Sequence, residues 1–76
     1  MEINKFIANF AAQFEDTDIS QFKAETKFHE LEEWSSLIAL SLIAMSDEEY
    51  NVTIKGDDIR NCDTIFDMFE IVKSKI

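Results

Sequence analysis

The sequence predicts an all-α domain, a small four-helix bundle of three main helices with a short third helix between the second and the last. Two observations carry that prediction. The 76 residues contain no proline and one glycine, Gly56, so almost nothing interrupts helix propagation. Apolar residues recur at i, i+3, i+4 and i+7 in separate segments, the spacing of one helix face. No repeat, linker or low-complexity tract divides the chain, so residues 1–76 read as a single domain. A chain of this size should expose ~4,800 Å² when folded.

The first helix is expected over Glu2–Phe14, where Ile3, Phe6, Ile7, Phe10 and Phe14 form one stripe. Glu15–Ser35 is a long connection. Ile19, Phe22, Phe28 and Leu31 should fasten it to the core, with a short helical turn near His29–Glu33. The second helix is expected over Ser36–Tyr50, with Ser35 as its cap. At 100° per residue, Ala39, Leu42, Ile43, Ser46 and Tyr50 share one side, taken as the core side. Leu37, Ser41, Ala44 and Glu48 lie opposite, and Ile38, Leu40 and Met45 fall on the flanks. This helix is apolar on more than one face, so it is either fully buried or has a second surface in use. Asn51 suits the left-handed conformation that ends a helix. Val52-Thr53-Ile54 reads as extended, and Gly56–Asn61 as a turn with a short helix. The last helix opens on Thr64-Ile65-Phe66-Asp67, a Thr-x-x-Asp capping box. Its stripe is Ile65, Met68, Phe69, Val72 and Ile76, with Asp67, Glu70 and Ser74 on the wet face. Lys73 and Lys75 in the last turn offset the helix dipole.

Sixteen acidic residues against seven Lys and Arg give a net charge of −9. Nucleic acid and anionic membrane surfaces would be repelled, whereas partners with basic patches would be attracted. No apolar run reaches the ~20 residues of a membrane span. The segment Met1–Phe14 is too punctuated by Glu2, Asn4 and Lys5 to act as a leader. Cys62, the single cysteine, has no disulfide partner and reads as a half-buried small apolar residue. A cytoplasmic monomer is therefore expected. His29 has no companion at metal-ligand spacing and reads as a surface residue beside Glu30, so no metal site is expected. Asp57, Asp58 and Asp63 lack the spacing of a calcium loop. No serine carries the flanking glycines of a nucleophile elbow, and so small a domain leaves little room for a deep cleft. The chain is not expected to be an enzyme, and no residue is given a catalytic role.

The stretch "EEWSSLIALS" (32–41) places two serines at the mouth of the most apolar segment. From Phe28 to Val72 the chain resembles the acyl carrier protein family, in which a D-S-L motif opens the second helix. Here that motif reads Ser35-Ser36-Leu37. The resemblance extends to the acidic end of that helix, Asp47-Glu48-Glu49-Tyr50, to Val52-Thr53-Ile54, and to Thr64 opening the last helix.

The resemblance implies that Ser36 receives a 4′-phosphopantetheine arm from coenzyme A, through a phosphopantetheinyl transferase. Acyl or aminoacyl groups would ride on the arm's thiol as thioesters and be presented to loading and processing enzymes. It implies that Ser35, Leu37, Ile38, Ser41, Met45 and Glu48 meet those enzymes. Ala39, Ile43, Ile54, Ile59 and Phe69 would line a cavity for cargo. The chain departs from the fatty-acid carriers in three places. Ser35 replaces their aspartate, and Ile38 and Ser41 stand where they carry acids. The apolar run Leu37-Ile38-Ala39-Leu40 is closer to the peptidyl carriers, which points to a specialised pathway. A different class of function fits the same composition: a non-catalytic acidic adaptor or inhibitor that binds a basic partner through its acids and the Leu37, Ile38 and Met45 patch.

Overall fold

The computed structural model describes all residues 1–76 and contains four α-helices and no strands. Its accessible surface is 4776 Å², as expected for a compact chain of this length. The first helix, α1, spans Ile3–Ala11 and is capped by Glu2, whose carboxylate accepts from the amides of Asn4 (2.9 Å) and Lys5 (3.0 Å). It stops three residues short of the expected end. The Gln13 and Phe14 amides turn to the carbonyls of Phe10 and Ala11 (3.1 and 3.0 Å), which tightens the last turn and keeps Phe14 buried outside the helix.

The connection contains two short 3₁₀ turns, Ile19–Gln21 and Phe28–Glu30. Phe22 and Phe28 drop into the core, but Ile19 does not; it is 71% exposed, a correction to its expected anchoring role. Asp18 caps the first turn through the Ser20 amide (2.9 Å), which turns the Ile19 side chain outward.

Helix α2 spans Ser36–Tyr50 and ends on Asn51, the one non-glycine residue with positive φ (55°). Helix α3 spans Gly56–Arg60 and α4 spans Ile65–Ser74. Between α2 and α3 the chain is extended, and Val52 and Ile54 are buried while Thr53 points outward. Helix α1 packs on α2 and α4, and α3 closes the bundle between α2 and α4.

Aromatic rings dominate the core. Phe6 meets Tyr50 and Phe69 with ring centroids 5.9 and 5.7 Å apart, and Phe10 meets Phe28 at 5.3 Å. Phe14 and Phe22 lie 5.0 Å apart, so the cluster continues beneath the connection. Each such fully buried side chain contributes about 1.5–3 kcal/mol, and edge-on and tilted ring pairs add to it. No buried side-chain polar atom lacks a partner. Ser46, fully buried on α2, donates its hydroxyl to the Leu42 carbonyl at 2.9 Å. The Asn9 amide group donates to the Tyr50 hydroxyl at 2.9 Å and ties α1 to α2.

Three further expectations need correction. The core side of α2 is centred on Ile38, Leu42, Met45 and Ser46, rotated by about 70° from the expected side at 100° per residue. A helix apolar nearly all round offers no pattern to fix its rotation. Cys62 is fully in the core rather than half-buried, because it closes the turn after α3. Ile76 is exposed, since α4 ends at Ser74 before its stripe reaches that far.

Candidate functional site

The chain leading into α2 is fixed from both sides. Glu33 accepts from the Glu15 amide at 2.8 Å, the Asp16 amide at 3.0 Å and the Thr17 hydroxyl at 2.7 Å. The Thr17 bond, followed by the amide bonds, holds its carboxyl below the usual range against a smaller opposing effect of burial. Trp34 is half-buried, with its ring 5.1 Å from Phe28 and 4.8 Å from His29. Ser35 then takes an extended conformation (φ −160°, ψ 171°), and its hydroxyl accepts from the Ile38 amide at 3.3 Å. Ser35 is therefore the cap, and Ser36 is the first helical residue, exposed at the head of α2. The amides of Ser36 and Leu37 have no partner within the protein, which leaves the positive end of a 15-residue helix open beside the Ser36 hydroxyl.

Two hollows flank this point. On one side a groove of about 400 Å³ runs between α2 and α3, with Ser36, His29 and Trp34 at one end and Gly56 and Arg60 at the other. Its floor is Ala39, Leu40, Ile43 and Ile59. Three of the five residues expected to line a cargo cavity, Ala39, Ile43 and Ile59, are brought together here. Ile54 and Phe69 are not; both are buried in the core, 2% and 6% exposed, because each packs inward from the extended segment and from α4. Arg60 pairs with Asp57 and lies back over Gly56. No hydrogen bond joins His29 to Ser36, whose side chains share only the groove.

On the other side a shallower hollow of about 290 Å³ gathers Ser35, Leu37, Ile38 and Ser41 with Gln13, Glu15 and Glu33. Four of the six residues expected to meet partners therefore form one surface. Leu37 stands 75% exposed at its rim, and Ile38 is half-buried against the core. Glu48 is exposed further along α2. Met45 is only 4% exposed and belongs to the core, which corrects its placement on the partner surface; the rotation of α2 carries it inward.

Sequence reasoning missed the Glu33 clamp, the His29–Trp34 ring pair and Arg60 at the groove. Each depends on segments distant in the chain, and no local pattern announces them. No group of His, Cys, Asp or Glu side chains is arranged to hold a metal ion, and no helix is long and apolar enough to cross a membrane. No family model, curated protein or solved structure matches the chain.

Proposed function

We propose that the chain is a carrier protein that holds acyl or aminoacyl groups as thioesters on a 4′-phosphopantetheine arm attached to Ser36. One observation carries the reading. Ser36 is an exposed hydroxyl at the open N-terminus of a long helix, with its neighbour Ser35 already committed to the cap. A phosphodiester formed there meets the positive end of the helix. The Leu37 hollow offers a small apolar anchor within an acidic surface, which suits transient docking of basic partner enzymes. Those partners are a phosphopantetheinyl transferase and the enzymes that load and process the cargo, in the cytoplasm.

The test is intact mass after incubation of the apo protein with a phosphopantetheinyl transferase and coenzyme A. One phosphopantetheine should be added, and Ser36→Ala should abolish the gain while Ser35→Ala retains it. No gain, or a gain that survives Ser36→Ala, overturns the assignment.

A second reading rests on Leu37 and Leu40, both largely exposed on a chain of net charge −9. An acidic adaptor or inhibitor would use that face on a basic partner. It predicts unmodified protein in the native host and a tight stoichiometric complex, so the mass of native protein separates the two.

A further inference from the structure

The groove beside Ser36 differs in charge from the rest of the surface. The other three hollows each contain carboxylates: Asp16, Glu32 and Glu33 in one, Glu25 and Glu30 in another, Glu15 and Glu33 in the third. The groove between α2 and α3 is lined by no carboxylate, in a chain with sixteen. Its polar lining is instead Ser36, His29 and Arg60 above an apolar floor.

We propose that this groove binds the arm itself: Arg60 and His29 hold the phosphodiester on Ser36, and the pantetheine chain lies along Ala39, Ile43 and Ile59. The inference rests on the carrier reading. A guanidinium offers five N–H donors in a planar fork, and Asp57 engages one of its nitrogens, so donors remain for a phosphate oxygen. The His29 ring, held between Phe28 (4.4 Å) and Trp34 (4.8 Å), is presented at the groove without a hydrogen bond of its own. The amide and methylene lengths of pantetheine suit a floor that is mainly apolar with polar ends. An arm so held is parked against the protein between visits to enzymes rather than swinging freely, and partner docking must release it.

The experiment uses protein loaded by a phosphopantetheinyl transferase and checked by intact mass, followed by ³¹P NMR of the phosphodiester. The wild-type resonance should lie away from that of free phosphopantetheine diesters. Arg60→Met and His29→Gln should each move it toward the free position, and added salt should do the same. Lys23→Met, which removes an exposed cation outside the groove, should leave it in place. Both groove side chains are exposed, so these variants should melt as wild type does. If the mass gain occurs but the resonance sits at the free position, or ignores both substitutions, the inference is overturned and the carrier reading stands. If no mass is gained, the carrier reading fails and takes the inference with it.

Discussion

Ser35→Ala and Ser36→Ala should separate the cap from the attachment point. The Ser35 hydroxyl accepts one bond, from Ile38, at an exposed site and a long 3.3 Å. Losing an N-cap costs about 0.5–2 kcal/mol, and this geometry places Ser35 in the lower half, about 0.5–1 kcal/mol. For a domain of this size 1 kcal/mol moves Tm by about 4–8 °C, so Ser35→Ala should melt roughly 2–8 °C lower. Ser36 caps nothing, and alanine is the better helix former, so Ser36→Ala should melt unchanged or slightly higher. Far-UV circular dichroism melts of the two apo variants, run beside the mass assay, give a two-by-two outcome. Ser35→Ala should lose stability and keep modification; Ser36→Ala should keep stability and lose modification. A Ser36→Ala variant that melts at or below Ser35→Ala would refute the cap assignment. Loss of modification in folded Ser35→Ala alone would refute the attachment assignment.

Other outcomes follow from the same packing. Met45→Ala should cost about 2–5 kcal/mol in a denaturant titration, and Leu37→Ala within about 0.5 kcal/mol, because only the first leaves a cavity; equal costs would contradict the rotation of α2. Glu33→Gln should lower Tm at neutral pH and raise exchange at the Glu15 and Asp16 amides. Because the folded carboxyl titrates below its ordinary 4.5, that difference should be full above this pH and vanish as pH falls through the lowered value; a difference that persists in acid would exclude the carboxylate as its source. The Cys62 thiol is pushed up to about 11 by burial, then by Asp67 and Asp58. It should therefore resist alkylation in folded protein, and its stabilising share should be present below pH 9 and lost as pH rises toward 11. Cys62→Ala should flatten that alkaline loss, and an unaltered pH profile would show that other groups cause it.

Helix order was readable because its signals are local. The Thr64 capping box is present as expected, with the Asp67 amide on the Thr64 hydroxyl at 3.1 Å and the Thr64 amide on Asp67 at 3.0 Å. Asn51 ends α2 for the same local reason. Rotation of α2 was not readable, because Leu37, Ile38, Leu40, Leu42 and Met45 compete for the core on hydrophobicity alone. Only packing against Phe6, Phe10 and Phe28 decides among them. The groove was half legible: Ala39, Ile43 and Ile59 could be guessed from their side chains, while His29, Trp34 and Arg60 meet there only after the connection folds back.

The first turn of α4 has four amides that its own helix cannot satisfy. Thr64 and Asp67 settle two of them locally, but the Ile65 and Phe66 amides are closed by the carbonyls of Thr26 and Ala24, far upstream (3.1 and 2.9 Å). The same upstream segment runs on through Phe28, His29 and Trp34 to Ser36. The start of α4 and the approach to Ser36 therefore open and close as one cooperative unit, and hydrogen exchange at Phe66 should report it. That unit also sets the order of folding. The approach to Ser36 cannot settle until the last helix has formed, so the attachment serine is among the last features of the molecule to become fixed.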